Sequence, residues 1–509
     1  MSCDQTPSPD LLAERILLSH PAVQQALFLR ETAGAPIALV VPRDSWIDEA
    51  LDRHRADEAV LRRWQKTYDL TQSSPAADAA PVGFNTISWD SSYTRRPISA
   101  EQMREWVQTT VASILDLAPR SVCEIGCGTG MLLFGIAPEC HRYAAADFSS
   151  GVLRRVREQL EMLPSLSPRV ELFERRADQL GDFPQDGFDT VVLNSVVQYF
   201  PGTAYLLRVL ENAARLVSPG GHIFVGDVRS LSLLPAFAAS VELFQAEDAA
   251  SLDDIRDRAR NRIRRTPELV LSPTFFLSLP RRIPRIGRVE IRLRAGRADN
   301  EMSRFRYNAI LHVGPECEPP VNVPFEECPA GDRSLAAIRA RFLEAREPFA
   351  LCRIPNLRVE RDLEALARLI SSGPGATAGN LRRELDARPA CGLHPQELLD
   401  LESAVPGSQV LLSWAASRTD GSFDAVFLPN RGIAKGGVDM PAPEPAALLH
   451  LASTPGQAAV RAKLVESLSA SVHGPIVPEC ERMRIELVDA LPPPSGRDGL
   501  AAFIARHSF

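Results

Sequence analysis

The stretch from Ser121 to Gly130 reads SVCEIGCGTG, an apolar run that passes through Glu124 straight into Gly126, Gly128 and Gly130. The helix-like run MLLFGIA follows at once. Glycines at alternate positions let the backbone turn sharply and let a ligand approach with no Cβ in the way, while a following helix start offers free N–H groups. Such a loop is built for a nucleotide-like cofactor. A dinucleotide-binding loop has G-x-G-x-x-G, with the pyrophosphate on the helix N-terminus. Here the third glycine comes one residue earlier and an acid precedes the first, so the spacing points away from a nicotinamide cofactor. Further candidates stand at the ends of two apolar runs. FDTVVLNSVVQYF delivers Asn194 to Tyr199, and HIFVGDVRS delivers Asp227 and Arg229, at the carboxyl ends of strands where open α/β sheets hold their ligands.

The elements that must position these residues alternate. Between Val107 and His312 the runs SVCEIG, RYAAAD, RVELFE, FDTVVLNS and HIFVGDV are separated by helical segments such as GVLRRVREQLEML and AYLLRVLENAARLV. That alternation predicts an α/β domain with a mostly parallel sheet. Before it, LLAERILLSH reads as a helix followed by the apolar runs ALFL and APIALVVP. A charged helical stretch then gives way near Thr71 to the linker SSPAADAAP, and the next domain is expected to start near Gly83. After Gly314 the Pro-rich PECEPPVNVP marks another break.

The glycine loop resembles motif I of class I S-adenosylmethionine methyltransferases, and the rest of that family's pattern follows in order. RYAAADFS ends in Asp147, the position where the family's acid holds the ribose hydroxyls; a carboxylate suits this because it can accept two hydrogen bonds from a cis-diol. Asp178 in RRADQL matches the residue beside the adenine, and LVSPGGHIFVGDVRS supplies the Pro-Gly-Gly turn before the fifth strand. The flanking stretches GFNTISWDSSYTRRPISAEQMREWV, NSVVQYFP, FVGDVRS and GRADNEMSRFRYNAILHVG narrow the resemblance to the methyltransferase domains embedded in nonribosomal peptide synthetases. Those domains N-methylate the α-amine of a carrier-bound amino acid and interrupt the small C-terminal subdomain of an adenylation domain. ILLSHPAVQQALFLRETAGAPIALVVP and AVRAKLVESLSASVHGPIVPECERMRIELVDALPPPSGRDG are similar to the two halves of that subdomain. The resemblance implies S-adenosylmethionine as cofactor and a Rossmann-like class I methyltransferase sheet, with an α+β accessory region and a split small α+β subdomain. The expected boundaries are 1–45 and 436–509 for the split subdomain, 46–82 for a helical linker, 83–315 for the methyltransferase core and 316–435 for the accessory region.

The resemblance also assigns residues. The expected cofactor set is Trp89, Tyr93, Glu124, Gly126, Cys127, Gly128, Gly130, Asp147, Phe148, Ala177, Asp178, Asn194 and Ser195; the candidates near the acceptor are Tyr93, Gln198, Tyr199, Asp227, Arg229, Asn300 and Glu301. Trp89 and Tyr93 either close over the cofactor or pack the helix that follows them. Arg229 either binds a substrate carboxylate or pairs with a nearby acid, Glu301 is a candidate base, and His222 reads as structural. Where the family carries an adenylating lysine, this sequence has Ser495, Gly496, Arg497 and Asp498. Arginine lacks lysine's flexible point donor, so amino-acid activation is expected to be lost.

Composition bounds the alternatives. A chain of 509 residues argues for about three units at roughly 100–200 residues per domain. The net charge of −7 gives no general basic field, so nucleic acid is not the expected partner. The N-terminus lacks a basic region followed by an apolar run, and no stretch reaches the roughly 20 apolar residues of a membrane span. Nine scattered cysteines without a C-x-x-C pair fit a reducing, cytoplasmic compartment. Cys123, Cys127 and Cys140–His141 could be drawn as a zinc site, but two of them flank the glycine loop, so no metal is expected. The function expected is methyl transfer to the amine of a free amino acid or a carrier-bound aminoacyl group, the carrier acting in trans. The alternatives are methylation of a thioether sulfur such as methionine's, and a noncatalytic docking protein for a synthetase.

Overall fold

The computed structural model describes residues 9–29, 36–43, 56–72, 81–315, 320–328, 334–373, 375–434, 437–441, 443, 451–453, 457–473 and 484–487. The chain divides into two compact units, one of Val60–Ala259 with Glu268–Ser453 and the other of Met1–Ala59, Arg260–Pro267 and Thr454–Phe509.

The larger unit contains a seven-stranded sheet. Its strands are β1 (Ser121–Ile125), β2 (Arg142–Asp147), β3 (Val170–Glu174), β4 (Phe188–Asn194), β5 (Val217–Arg229), β6 (Ile286–Leu293) and β7 (Arg306–Val313), in spatial order β3-β2-β1-β4-β5-β7-β6. The pairs among β1 to β5 are parallel, and β7 lies antiparallel to both β5 and β6. This is the α/β class that the alternating runs predict. The order reverses between β1 and β4, the switch point at which such sheets open a crevice.

Local sequence explains the elements. In β2 the residues from Tyr143 to Asp147 are all buried, and small alanines let helices cover both faces of a parallel strand. Five helices matter for the crevice: α1 (Ala56–Gln72), α2 (Ala100–Leu115), α3 (Ser150–Glu161), α4 (Thr203–Leu216) and α5 (Leu234–Gln245). α3 starts where the Ser149 hydroxyl accepts from the Val152 amide at 3.2 Å, and it buries Val152, Leu153, Val156 and Leu160. In α4 the buried Tyr205, Leu206, Val209, Leu210 and Ala213 follow the three-and-four spacing of an amphipathic helix. Full burial of each large apolar side chain contributes about 1.5–3 kcal/mol.

The described residues between 320 and 441 fall within the larger unit. Strands β8 (Phe325–Glu327), β9 (Phe349–Ile354), β10 (Gln409–Ser413) and β11 (Phe423–Leu428) make a four-stranded sheet in the order β8-β9-β11-β10. The short α6 (Glu301–Phe305) precedes β7, and α7 (Leu357–Ser371) packs on α5 through Ala239, Leu243, Ala365 and Leu369. The stretch assigned from sequence to a linker likewise contributes α1, whose residues from Val60 onward belong to the larger unit.

In the smaller unit, Val23–Leu29 pairs antiparallel with Ile37–Pro42, which pairs parallel with Arg484–Leu487. Ala13, Leu17, Val40, Leu464, Leu468 and Ile485 share its core, so the two ends of the chain fold together. The loop Ser495 to Asp498 lies outside the described residues.

Candidate active site

The glycine loop is pinned to the neighbouring strand by its own backbone. The amides of Gly126 and Cys127 donate to the Ala146 carbonyl at 2.7 and 3.1 Å. The Gly128 amide donates to Asp147 Oδ2 at 3.0 Å, and the Ser149 amide donates to Oδ1 at 2.9 Å. Asp147 thus ties the loop to the end of β2. Burial pushes its carboxyl up to about 6, against the pull of the Ser149 and Gly128 amides. Gly126 has φ of +76°, and a Cβ there would stand 2.6 Å from Val196 Cγ2. Only glycine fits that turn. Glu124, buried below the loop, accepts from the Tyr143 hydroxyl at 2.8 Å. Burial raises its carboxyl to about 8, although the Tyr143 hydrogen bond works the other way.

Two adjoining cavities of about 80 and 220 Å³ occupy this crevice, and both are lined by Tyr68, Gly126, Gly128, Ser195 and Tyr199. Asp147, Phe148 and Ala177 line the smaller one, together with Arg175 and Arg176. Trp89, Glu124, Cys127, Asn194, Gln198 and Glu301 line the larger one, together with Glu268 and Arg306. Trp89 packs on Trp106 with ring centroids 4.7 Å apart, so it serves both the wall and the helix. Tyr68, from α1, sets its ring edge-on to Phe148 and Tyr199 at 6.2 and 5.7 Å. Burial drives the phenols of Tyr68 and Tyr199 upward, keeping both hydroxyls protonated. Asn194 Oδ1 and Gln198 Oε1 are buried with no hydrogen-bond partner.

Several expected site residues lie elsewhere, each for a physical reason. Asp227 is fully buried and lines neither cavity. It pairs with Arg294 at 3.1 Å and with Arg306, and it accepts from Trp106 Nε1 at 3.2 Å and from the Ser195 hydroxyl. Burial alone would raise its pKa, but the guanidinium groups of Arg306 and Arg294 hold it below the ordinary value. Arg229 pairs with Glu268 at 2.5 Å, lies over the Phe237 ring and lines neither cavity, the second of the two readings its sequence position allowed. Asp178 accepts from the Tyr205 hydroxyl at 3.0 Å and from Arg176, outside both cavities. Tyr93 turns away to bond Ser240 Oγ at 2.8 Å. Asn300 caps α6, accepting from the Met302 and Ser303 amides at 3.0 and 3.2 Å. Tyr93 and Asn300 instead line a third cavity, and Gly130 lines none of the three. Glu301 lines both the larger cavity and the third one, held by the Ser92 amide and hydroxyl, each at 2.8 Å. His222 packs edge-on to His312, 4.9 Å away, and burial lowers its pKa to about 4.

Tyr68, Glu268 and Arg306 were absent from the expected set. Arg306 opens β7 inside the stretch RFRYN and was readable as a candidate. Tyr68 carries no local signal, because only the docking of α1 brings it to the crevice. Among the described residues no group of three or more His, Cys, Asp or Glu side chains could hold a metal ion. The glycine turn, the buried Asp147 carboxylate and the aromatic walls fit a nucleoside cofactor bearing a positive sulfonium.

A family model described as a methyltransferase domain matches residues 123–223. The chain is 38% identical over 435 residues to a chondramide synthase of Chondromyces crocatus, covering 82% of this chain and 11% of that protein. It is 29% identical over 449 residues to the beauvericin nonribosomal cyclodepsipeptide synthetase of Beauveria bassiana, covering 81% of this chain and 14% of that one. The chain therefore spans only about a tenth of the length of these curated relatives. Among solved structures it is similar to an N-methyltransferase of Bradyrhizobium japonicum bound to S-adenosyl-L-homocysteine. The identity there is 14% and the TM-score 0.29, over 49% of this chain and 97% of that one.

Proposed function

We propose that the methyltransferase domain carried by this chain transfers a methyl group from S-adenosylmethionine to the amine nitrogen of an amino acid or aminoacyl group, in metabolism of the nonribosomal-peptide kind. The observation that carries the choice of nitrogen is the unpartnered Gln198 Oε1 in the larger cavity. A buried carbonyl oxygen without a partner costs about 1–3 kcal/mol. An amine donates N–H to it, whereas a thioether sulfur has nothing to donate.

When bound, S-adenosylmethionine supplies an electrophilic methyl group whose C–S bond breaks as the N–C bond forms, the electron pair staying on sulfur. The chain's own contribution is positional, and well-oriented reactants are worth effective molarities of about 10⁵–10⁸ M. In this reading Asp147 holds the ribose hydroxyls, Phe148 and Ala177 flank the adenine, and Asn194 accepts from the cofactor's ammonium. Gln198 orients the acceptor nitrogen. Arg306, steadied by Asp227, presents its remaining N–H groups to the acceptor's acyl oxygen. The proton lost from nitrogen goes to water or to one of the lining carboxylates, Glu268 and Glu301.

No helix among the described residues is long and apolar enough to cross a membrane. The scattered cysteines support a cytoplasmic enzyme, and the acceptor in this reading is a small molecule or a group borne on a carrier protein. The test is incubation with S-adenosylmethionine and a pool of amino acids and aminoacyl thioesters, read by mass spectrometry. Fragmentation should place the new methyl on nitrogen, and the rate should fall as the amine protonates below its reference pKa of about 7.7–8.0. A methyl found on sulfur, with a rate flat through neutral pH, overturns the reading.

A further inference from the structure

Residues Glu268 to Ser272 form a strap clamped on both sides. The Leu271 amide donates to the Arg229 carbonyl and the Leu231 amide to the Leu271 carbonyl, each at 3.1 Å. On the other side the Ser272 amide donates to the Leu451 carbonyl at 2.9 Å and the Ser453 amide to the Val270 carbonyl at 2.8 Å. At the start of the strap the Leu269 amide donates to the Gln198 carbonyl at 2.8 Å. Glu268 is therefore fixed beside Gln198, and both line the larger cavity.

Four carboxyl groups line that cavity, those of Asp90, Glu124, Glu268 and Glu301, and they differ in what is left to offer a ligand. Burial raises Glu124 to about 8, which leaves it neutral near neutral pH, and it already accepts from Tyr143. Glu301 has both oxygens taken, Oε2 by the Ser92 amide and Oε1 by the Ser92 hydroxyl, each at 2.8 Å. Asp90 is exposed. Arg229 holds Glu268 through Oε2 alone, at 2.5 Å, and no donor among the described residues reaches Oε1. The arginine lining the cavity, Arg306, shares the fully buried Asp227 with Arg294. Tyr68, Trp89 and Tyr199 add aromatic rings to the same wall. A carboxylate oxygen with a free lone pair among aromatic rings suits an organic cation.

Amine methylation creates such a cation. The nitrogen lone pair forms the N–C bond, the C–S bond breaks with its electrons staying on sulfur, and the positive charge passes from sulfur to nitrogen. We propose that Glu268 is a catalytic carboxylate: its Oε1 accepts one N–H of the acceptor nitrogen, Gln198 Oε1 accepts the other, and the charge forms against Glu268. Arg229, outside the cavity, is then a positioning residue that orients the carboxylate through Oε2. The product ammonium gives its proton to water. The inference rests on the amine-methylation reading and deepens it by naming the group that receives the charge.

Binding is measured apart from catalysis, by calorimetry on the full chain saturated with S-adenosyl-L-homocysteine. The probes are N-methyl-L-alaninamide, held as a cation below the α-amine reference pKa of about 7.7–8.0, and 2-methylbutanamide, its neutral isostere with a methylene in place of the charged nitrogen. The parent protein should bind the cation at least about tenfold tighter, the worth of a hydrogen bond to a charged group. Glu268→Gln should bring the two probes within about twofold of each other and retain affinity for S-adenosyl-L-homocysteine. Glu268→Asp keeps the charge and should recover part of the preference. Turnover of Glu268→Gln should fall about 10- to 100-fold. Equal or undetectable binding of the two probes by the parent protein, a preference that survives in Glu268→Gln, or full turnover in that variant overturns the inference. A charge preference in a protein that methylates no amine would sink the functional reading and leave the cation subsite standing; amine methylation without the preference does the reverse.

Discussion

At the cofactor end of the cleft the backbone turn and its carboxylate come from one short stretch of chain, Gly126 to Phe148; at the acceptor end the polar and aromatic side chains come from the scattered Trp89, Gln198, Glu268, Glu301 and Arg306. The first end is built from backbone, with the glycine turn hydrogen-bonded to Ala146 and Asp147. The second is built from side chains, and its rigidity comes from the buried pairs Asp227–Arg294 and Asp227–Arg306. A backbone cradle recognises a part of the ligand that never changes, whereas a side-chain wall can vary its acceptor without disturbing that cradle.

The largest effect is expected from breaking the acceptor end at its anchor. Asp227→Ala leaves Arg294 and Arg306 buried without their carboxylate, which costs about 3–5 kcal/mol of folding stability. Denaturant melts check it, and a loss below about 1 kcal/mol would remove the anchoring role. Next comes the backbone cradle. Gly126→Ala drives a Cβ to 2.6 Å from Val196 Cγ2 and should cut affinity for S-adenosyl-L-homocysteine by about 100-fold, or about 2.7 kcal/mol. Gly128→Ala meets open space at φ +51° and should cost only the left-handed penalty of roughly 1–2 kcal/mol. Equal losses at both glycines would show that space is not what the loop protects.

A third test sharpens the cofactor end by pH. The Asp147 carboxyl is raised by burial to about 6, so it is ionised above that value and protonated below it. Affinity for S-adenosyl-L-homocysteine should therefore fall as pH drops below about 6. Asp147→Asn should lose about tenfold at neutral pH, the worth of one charge-assisted hydrogen bond, and should flatten that slope. Calorimetric titrations at pH 5 and 8 decide it, and an unchanged slope in the variant would exonerate Asp147. The smallest effect belongs to the acceptor wall. Gln198→Leu should raise KM for the amine acceptor about three- to tenfold, since one neutral hydrogen bond contributes about 0.5–1.5 kcal/mol. If affinity for S-adenosyl-L-homocysteine falls as well, Gln198 belongs to the cofactor end instead.

How much was legible follows the same division. Gly126, Gly128 and Asp147 could be read because a strand, a turn and the next strand lie close in sequence, and the turn's geometry limits which residues can occupy it. Asp227 and Arg229 were placed correctly at the mouth of β5, but what each does depends on partners that arrive from far along the chain: Arg294 and Arg306 for one, Glu268 for the other. Tyr93 and Trp89 stand four residues apart in one segment, yet one faces the third cavity and the other the cofactor cleft. Spacing within an irregular segment does not say which way a side chain points. The stretch after Gly314 gave no clear period, because its strands are short and its helix α7 shares a core with α5 from the preceding part of the chain.

By itself, then, the sequence determined the alternating sheet, the glycine turn and the carboxylate that follows it, since these rest on local backbone geometry and on apolar periodicity within single elements. The tertiary structure alone decided which charges are free to meet a ligand. An arginine or aspartate looks the same in sequence whether it ends in a cavity or in a buried pair, and only the packing of β5, β7 and the chain around Arg294 and Glu268 makes Asp227 an anchor, occupies Arg229 and leaves Arg306 on the wall.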